Sequence, residues 1–519
     1  MYDYVIVGAG SAGCVLAARL SEDPGVKVAL LEAGGQDARP EIAMPMAFPM
    51  LLKSSVDWDL LGEQEPGLGG RRLFLPRGKV IGGSGSINAM IYVRGNRADY
   101  DEWAAGGAEG WSYDEVLPYF RRSEDNERGE DPFHGVGGPM TVSDSRAMSP
   151  LIETMLEASV LAGHEYNHDF NGAVQEGVGR FQLTQRNGRR CSTAAAFLHP
   201  AAARRNLDVL TDAMALQILF DGKRAVGVEI ARDGKVEKIV AERDVILSAG
   251  AYHSPVLLML SGIGPAEDLA PYGIQVRESL PVGQNLQDHC MVQLNYETDE
   301  PSLFGTFTPD NVELLEREGR GPLSSNIPEA GAFFRTRPEL TAPDIEFHYA
   351  PSMFYDEGLT APHAGGYCFG PVVVKPTSRG RVMLRAPLPD SKPRVLCNFL
   401  TTDEDRRSMI AGVRMALEIA EQEPLKKAAR KAFSVPAGDS DEEIMDWVRR
   451  AGQSVYHPTS TCAIGSVVDP QLRVYGVEGL RVADASVMPT VTRANTNAAT
   501  IMIAEKAADL ISGRDPETG

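Results

Sequence analysis

The stretch that decides the fold is residues 3–35, DYVIVGAGSAGCVLAARLSEDPGVKVALLEAGG. It contains the motif Gly8-x-Gly10-x-x-Gly13. In such a motif the first glycine permits a tight turn, and the second lets the backbone approach a pyrophosphate at a helix N-terminus. The third lets the helix pack closely on the preceding strand.

The elements around this motif occur in the order that a dinucleotide-binding unit needs. An apolar strand (4–7) precedes the glycines, a helical pattern follows, and a second apolar strand (26–31) ends at Glu32. That carboxylate stands about 20 residues after the motif, where an acidic side chain accepts ribose hydroxyl hydrogens. The sequence therefore predicts dinucleotide binding. NAD and FAD share the adenosine diphosphate half, so the motif leaves both open.

Composition narrows the class of protein. A chain of 519 residues exceeds one ordinary domain, so we expect two closely associated domains. A hydrophobic content of 43% and a charged content of 24% are typical of a globular protein, and no apolar run is long enough to span a bilayer. The net charge of −20 argues against nucleic acid as a partner and disfavours anionic membranes.

The first strand begins almost at residue 1 and leaves no room for a secretory leader, so we expect a cytoplasmic protein. The cysteines are scattered, without CxxC pairs or metal-ligand spacing, which predicts reduced thiols and no metal site. They are Cys14, Cys191, Cys290, Cys368, Cys397 and Cys462.

A second run rich in glycine and serine occupies residues 75–95, LPRGKVIGGSGSINAMIYVRG. An NAD enzyme with one dinucleotide-binding unit has no obvious use for it. A flavoprotein does, because small residues must press against the isoalloxazine ring. The flanking apolar residues favour a buried turn over a flexible surface loop.

With these motifs, the sequence resembles the glucose–methanol–choline (GMC) oxidoreductases, which are FAD-dependent alcohol oxidases and dehydrogenases. The likeness extends from Tyr2 to Ile511, and it is nearest to bacterial choline-dehydrogenase-like, aliphatic-alcohol and hydroxymethylfurfural-oxidising members. Four segments carry it: RGKVIGGSGSINAM (77–90), GAYHSPVLLMLSGIGP (250–265), VGQNLQDH (282–289) and GLRVADASVMPTVTRANTNAATIMIAEKAADLI (479–511).

The resemblance implies FAD as the cofactor. Some members tether FAD through a histidine where this chain has Ile87, so we expect non-covalent FAD. Gly85 stands where serine is commoner. The implied FAD contacts are Gly8, Gly10, Ser11, Ala12, Gly13, Glu32, Ala33, Trp58, Val80, Gly83, Asn88, Ala89, Met90, Ala215, Tyr456, Asp484, Ala485 and Thr496.

The expected fold class is α/β, with a Rossmann-like FAD-binding domain and an interleaved α+β substrate-binding domain built from an antiparallel sheet and helices. We assign residues 1–290 to the FAD domain, with 150–190 contacting the substrate domain. Residues 291–454 form the substrate domain, and 455–519 return to the FAD domain. Asp233-Gly234 predicts a β-hairpin turn, 403–421 a helix, and 380–387 a strand of the antiparallel sheet.

His457, in SVYHPTSTC (454–462), is the candidate base. Oxidation of an alcohol removes a hydroxyl proton and a hydride, which FAD accepts at N5, and an imidazole has a suitable pKa for taking the proton. The resemblance assigns this role to His457 and alkoxide orientation to Asn495, with Asn497 as the rival. Ser460 replaces the glycine common in the family, and its Cβ is expected to affect the orientation of His457.

The other histidines have structural interpretations. His164-Glu165-x-x-His168 matches the zincin pattern, but Gly163 ends the preceding helical pattern (150–161) and turn residues follow, so we expect no zinc site. His289 and His348 are read as core residues or as residues supporting the site. No GxSxG motif supports a serine hydrolase.

The substrate and the acceptor stay open at this point. Choline would need a carboxylate or an aromatic cage, for which Glu329 with Phe333 is a candidate, whereas Met353 and Phe354, with Phe304 and Tyr355, suit aliphatic or aryl alcohols. Oxygen or another electron acceptor would reoxidise the flavin, and the oligomeric state is unknown. The alternatives are a flavin photoenzyme that decarboxylates fatty acids and a non-catalytic FAD-binding protein.

Overall fold

A computed structural model of the protein describes residues 1–147 and 149–514. Residues 515–519, the end of the predicted C-terminal segment, lie outside the described part. The helices are α1 (Ser11–Leu20), α2 (Pro40–Ala43), α3 (Arg97–Ala105), α4 (Tyr113–Ser123), α5 (Pro150–Leu161), α6 (His199–Ala201), α7 (Gly250–Leu260), α8 (Ala266–Leu269), α9 (Pro309–Glu318), α10 (Asp403–Ala420), α11 (Glu423–Ala428), α12 (Asp441–Ala451) and α13 (Thr496–Ser512).

The strands are mostly short and fall into two large sheets and several small ones. In chain order they are β1 (Tyr2–Val7), β2 (Val28–Leu31), β3 (Leu60–Glu65), β4 (Arg71–Leu75), β5 (Ile91–Tyr92), β6 (Glu124–Asn126), β7 (Met140–Asp144), β8 (Gly177–Arg180), β9 (Gln182–Leu183), β10 (Gln185–Arg186), β11 (Arg189–Arg190), β12 (Leu207–Leu210), β13 (Met214–Asp221), β14 (Arg224–Arg232), β15 (Lys235–Leu247), β16 (Cys290–Met291), β17 (Leu294–Thr298), β18 (Ala330–Phe334), β19 (Ile345–Ala350), β20 (Gly366–Val373), β21 (Arg381–Met383), β22 (Arg394–Leu396), β23 (Ala429–Ser434), β24 (Gln453–Ser454) and β25 (Leu480–Val482).

The first large sheet is parallel at its centre, in the order β12–β2–β1–β15–β25. All of β2 and the last four residues of β1 are buried, as expected where both faces of a parallel sheet are covered. Val7 is in register with Leu31. The glycine turn after β1 and Glu32 after β2 therefore meet at the carboxyl edge, where open α/β sheets bind ligands.

The strand β15 is part of both a β-hairpin and the parallel centre of the sheet. Its first half pairs antiparallel with β14 and is mostly exposed, whereas its last three residues are buried and pair with β1 and β25. The turn between β14 and β15 is Asp233-Gly234, with φ of +51° and +72°. Positive φ at both central residues is the geometry of a type I′ hairpin, so the predicted hairpin is confirmed.

The second large sheet is antiparallel, in the order β23–β17–β20–β19–β18–β8, with β16 joining β20 to β24. Its strands β18, β19 and β20 are buried along their whole length. Together the two sheets give the predicted fold class, a Rossmann-like α/β unit with an interleaved antiparallel sheet and helices. The helix predicted over 403–421 is α10.

One strand prediction is wrong in its partner. Within 380–387 the chain forms β21, which pairs with β22 and stands apart from the eight-stranded sheet. The loop at Gly283 lies along the edge of β21, since the Val382 amide donates to the Gly283 carbonyl at 2.7 Å. The predicted domain limits stay a prediction. In the described residues, no helix combines the length and apolar character needed to cross a membrane.

Candidate active site

A cavity of about 330 Å³ opens at the carboxyl edge of the parallel sheet. At one end its wall is formed by the glycine turn and Glu32, and at the other by residues of the antiparallel sheet such as Met291 and His348. His457 and Asn495 lie on the same wall. The cavity therefore connects the predicted dinucleotide site with the predicted base.

Close backbone packing requires glycine in the first turn. Gly8 has φ of +99°, and a Cβ placed there would lie 2.6 Å from the Ser248 carbonyl oxygen. A Cβ on Gly13 would lie 1.9 Å from the Gly8 carbonyl oxygen. Both contacts are shorter than any side chain tolerates, so β1, α1 and β15 can meet only with glycine at these positions.

The N-terminus of α1 is open toward the cavity. Its N-cap is Gly10, which has no capping side chain, and its first turn contains no acidic residue. Gly10, Ser11 and Ala12 line the cavity. The first-turn amides of a helix lack intrahelical acceptors and carry the positive end of its dipole. This end of the cavity can therefore bind an anion.

Glu32 stands beside that helix end. Its carboxylate accepts hydrogen bonds from the Ala9 amide at 2.9 Å and the Gly34 amide at 2.8 Å. Burial raises the pKa of Glu32 to about 7, although the two amides oppose that shift. A buried carboxylate with free lone pairs on the cavity wall is a suitable acceptor for ribose hydroxyls.

The second glycine cluster packs directly on the first. A Cβ on Gly83 would lie 2.6 Å from the Gly10 Cα, and one on Gly85 would lie 2.9 Å from the Ser11 hydroxyl oxygen. That hydroxyl donates to Asn497 Oδ1 at 2.6 Å. A serine at position 85 would crowd this bond, which gives a physical reason for the glycine there.

The base candidate and the amide candidate are adjacent. Asn495 Nδ2 lies 3.2 Å from His457 Nε2, and the Asn495 side-chain oxygen has no hydrogen-bond partner in the described structure. Asn495 is the N-cap of α13. An imidazole nitrogen and an amide side by side on a cavity wall can bind one hydroxyl group between them.

Two side chains, Asp288 and Arg77, fix the backbone around His457. Asp288 accepts from the His457 amide at 2.7 Å and from the Ser454 hydroxyl at 2.6 Å. Arg77 donates to the Tyr456 carbonyl at 2.7 Å, and Tyr456 has φ of +69°. A non-glycine residue in the left-handed region is strained, so these bonds hold Tyr456, next to His457, in a conformation that the chain does not favour locally.

His289 supports the imidazole from behind. His289 Nδ1 lies 3.0 Å from His457 Nδ1, and the two rings are nearly perpendicular. Burial is the main cause that lowers the pKa of His457 well below 6.5, and His289, His348 and Arg77 add to the effect. His457 is therefore a neutral imidazole at neutral pH.

Ser460 also has a left-handed backbone, with φ of +73°. Its hydroxyl lies 2.9 Å from that of Thr459, and its amide donates to the Ala485 carbonyl at 3.3 Å. The conformation that glycine would take without strain is therefore kept by serine.

Comparison with protein families agrees with this geometry. Two models described as GMC oxidoreductase match the chain, one over residues 2–291 and the other over residues 376–504. The chain belongs to the GMC oxidoreductases. It is therefore an oxidoreductase.

The matches of this GMC oxidoreductase to relatives and solved structures extend over almost the whole chain. An alcohol dehydrogenase [acceptor] of Pseudomonas putida is 41% identical over 98% of this chain and 96% of its own. The mitochondrial choline dehydrogenase of Homo sapiens is 42% identical over 99% and 90%. The crystal structure of pyridoxine 4-oxidase from Mesorbium loti superposes with a TM-score of 0.91, 32% identity, and coverage of 99% and 100%.

The family and FAD-containing neighbours such as the formate oxidase of Aspergillus oryzae (28% identical, TM-score 0.92, coverage 99% and 98%) support FAD as the cofactor. The residues present fit it. The open helix end at Ser11 and Ala12 would hold the diphosphate, Glu32 the adenosine ribose, and the glycine turns leave room for flat rings.

Most residues that the resemblance implied as FAD contacts line the cavity. Two do not: Gly13 is covered by the Gly8 carbonyl, and Val80 is buried in an apolar cluster with Ile87. The residues on the wall are Gly8, Gly10, Ser11, Ala12, Glu32, Ala33, Trp58, Gly83, Asn88, Ala89, Met90, Ala215, Tyr456, Asp484, Ala485 and Thr496.

Of the four predicted substrate residues, one lines the cavity and three do not. Phe354 lines the cavity, but Glu329, Phe333 and Met353 do not. The Glu329 carboxylate is occupied by the Ser325 hydroxyl at 2.7 Å and the Ser149 amide at 3.3 Å. It is a buried acceptor that connects the Ser149 and Ser325 loops.

Sequence reasoning missed Arg77 and Asp288 at the site, and it read His289 and His348 as core or supporting residues. Arg77, Asp288 and His289 contact His457 or its neighbour, and His348 lines the cavity. For Arg77, Asp288 and His289 the signal was present only as membership in two glycine- and amide-rich segments, 77–90 and 282–289. The contacts themselves join distant parts of the chain.

The zincin pattern does not form a helix. The helix α5 ends before Gly163, which has φ of +98°, as predicted. The His164 ring stacks on Phe334, and the His168 ring packs on Tyr166. The two histidines therefore serve separate ring contacts.

Proposed function

We propose that this GMC oxidoreductase oxidises the hydroxyl of an uncharged primary alcohol to an aldehyde, with His457 as the base and Asn495 as the alkoxide donor. The observation that carries the proposal is the 3.2 Å approach of Asn495 Nδ2 to His457 Nε2 on the cavity wall. When bound, FAD supplies the hydride acceptor at its N5 atom.

The hydrogen-bond network supports one tautomer of His457. If Asn495 Nδ2 donates to His457 Nε2, the ring proton of His457 is on Nδ1. That proton then points at His289 Nδ1, which accepts it. A substrate hydroxyl that takes the place of the Asn495 amide at His457 Nε2 meets this lone pair and can give up its proton to it.

Asn495 supplies the hydrogen-bond donor for the substrate oxygen, which the imidazole of His457 does not provide. Removal of the hydroxyl proton leaves negative charge on the substrate oxygen, and a fixed donor next to it lowers the barrier. Once the hydroxyl proton occupies the Nε2 lone pair, the N–H bonds of the Asn495 amide can donate to the substrate oxygen. The burial of Asn495 favours this interaction, because little water competes for the amide.

The alternative amide, Asn497, is already committed. Its oxygen accepts the Ser11 hydroxyl and so ties α13 to the start of α1. This arrangement supports Asn495 over Asn497 as the donor.

The wall favours an uncharged alcohol. Among the described lining residues the carboxylates are Glu32 and Asp484. Glu32 stands at the anion-binding end, and Asp484 accepts from the Gly250 amide and from the Ser254 and Ser486 hydroxyls. Neither is free to pair with a quaternary ammonium near His457.

Oxygen or another electron acceptor would complete the cycle. We further propose that FAD is held without a covalent bond, because Ile87, where some members have a tethering histidine, lines the cavity with a hydrocarbon side chain. Acid precipitation of the holoenzyme should release all flavin into the supernatant. Flavin that stays with the protein would contradict this.

Anaerobic mixing of the holoenzyme with a panel of alcohols tests the function. Neutral aliphatic and aryl alcohols should bleach the flavin, choline should do so far more slowly, and admission of air would report oxygen as an acceptor. The His457→Ala variant with full flavin content is the control and should bleach roughly 10²–10⁴-fold more slowly. No bleaching of wild-type enzyme by any alcohol would overturn the proposal.

A further inference from the structure

Arg190, at the end of β11, is a buried cation that pairs with no carboxylate in the described part of the chain. Its side chain donates from Nε to the Ile42 carbonyl at 2.8 Å, and from Nη1 to the Gly85 carbonyl at 3.2 Å and Asn88 Oδ1 at 2.7 Å. The third nitrogen, Nη2, is buried without a partner. All three acceptors are neutral, so its positive charge is not balanced.

Other buried arginines of this protein are balanced. Arg94 pairs with Glu124 at 2.6 Å, and Arg493 contacts both Asp99 and Glu102. Arg190 is 7% exposed, and burial lowers the pKa of its guanidinium to about 9. A buried charge without a partner is destabilising, so a site that retains one points to a counter-ion that arrives from outside the chain.

Arg190 lies directly behind the cavity wall. Asn88, which accepts its Nη1, lines the cavity. The Gly85 backbone separates the guanidinium from the start of α1, since a Cβ on Gly85 would lie 2.9 Å from the Ser11 hydroxyl. The charge is therefore close to the open helix end that can bind an anion.

The wall offers no other cation at that end. Among the described lining residues, Arg77 is the sole arginine or lysine, and it donates to Tyr456 beside His457. A diphosphate at the α1 N-terminus would meet backbone amides and a helix dipole, which carry only partial charges. The full positive charge of Arg190, on the other side of the Gly85 backbone, would balance the negative charge of the diphosphate.

We propose that Arg190 is the buried counter-charge for the diphosphate of FAD and sets the affinity of the apoprotein for that half of the cofactor. It acts through the wall, by its electric field and by holding Asn88 and the Gly85 carbonyl in place. This inference rests on FAD as the cofactor and is independent of the alcohol chemistry assigned to His457.

Binding of fragments to the apoprotein tests it, with ADP as the diphosphate half and riboflavin as the phosphate-free half. Arg190→Gln keeps an N–H donor and removes the charge, whereas Arg190→Lys keeps the charge. We expect R190Q to bind FAD and ADP roughly tenfold or more weakly, with riboflavin affinity within about twofold of wild type. R190K should retain most of the ADP affinity. Arg189→Met removes a charge at the partly exposed neighbouring residue and should change neither the ADP affinity nor the riboflavin affinity.

Equal losses for ADP and riboflavin would overturn the proposal, because they would indicate a purely structural role in shaping the wall. So would unchanged ADP affinity in R190Q. R190Q also loses hydrogen bonds to the Ile42 and Gly85 carbonyls, so the melting temperature of the apoprotein serves as the check that it folds. If R190Q does not fold, R190K decides, and a tenfold or greater loss of its ADP affinity would contradict the proposal. A failure of alcohols to bleach the flavin would leave these binding results unaffected.

Discussion

His289 Nδ1 lies 3.0 Å from His457 Nδ1, so the buried imidazole of His289 and the cavity-lining imidazole of His457 share one hydrogen bond. One of the two nitrogens must carry the proton. With Asn495 on the other side of His457, the assignment in which His457 donates leaves its Nε2 lone pair facing the cavity. His289 is thereby a positioning residue in the proposed reaction.

Substitution of His289 tests this role. Asparagine at position 289 offers an oxygen near the place of Nδ1, whereas leucine offers no acceptor. We expect H289L to lower kcat roughly tenfold or more and H289N to keep most of it, because loss of one buried hydrogen bond is worth about 1–3 kcal/mol. Stopped-flow flavin reduction measures the difference. Similar rates for both variants would contradict the tautomer assignment.

The two asparagines before and inside α13 should differ in effect. Asn495→Ala removes the proposed alkoxide donor and should lower kcat/KM roughly 10²–10³-fold. Asn497→Ala breaks the bond to Ser11 and should mainly lower the melting temperature and FAD retention. Steady-state kinetics on one good alcohol, at equal flavin content, measures the first effect. The reverse ranking in kcat/KM would make Asn497 the donor.

The pH dependence of kcat/KM should show no loss from alkaline pH down to about 6.5. Burial lowers the pKa of His457 well below 6.5, so the free enzyme holds its base in the neutral, competent form throughout that range. Activity should fall only in acid, as His457 takes up a proton. An acid limb with its midpoint at or above 6.5, seen with a substrate that has no titratable group, would contradict this.

Ser460→Gly should relieve strain, since left-handed backbone is unfavourable by about 1–2 kcal/mol for a residue with a Cβ. The greater flexibility of glycine in the unfolded chain offsets part of this, so we expect a gain of up to about 1 kcal/mol in unfolding free energy. Ser460→Ala keeps the Cβ and loses the contact with Thr459, and it should not be stabilised. Urea unfolding of the holoenzymes compares them. A less stable S460G would refute the strain argument.

Glu329→Ala should act on stability and not on substrate choice. The buried carboxylate accepts from Ser325 and Ser149, and the loss of such bonds costs about 1–3 kcal/mol. The ratio of kcat/KM for a neutral alcohol to that for choline should stay as in wild type. A selective loss of kcat/KM for choline would indicate that Glu329 contributes to substrate binding.

Local pattern was sufficient for much of the fold. The glycine spacing, the apolar strands and Glu32 specify β1, α1 and β2, because Gly13 packs on the Gly8 carbonyl within the same turn and β1 pairs directly with β2. Asp233-Gly234 specified its hairpin for the same reason. The strand at 380–387 was assigned to the wrong sheet, since partner choice depends on the loop at Gly283, about 100 residues earlier.

For the site, the sequence by itself determined the chemical class: a dinucleotide fingerprint, a second glycine turn, and His457 with Asn495 as candidates. Only the tertiary structure decided how these groups meet. The contacts of His457 with His289, of Asn497 with Ser11, and of Arg190 with Asn88 join residues 168, 486 and 102 positions apart. Residue types and short spacings encode local conformation, whereas such pairings arise when the two sheets and α13 pack together, which no local pattern specifies.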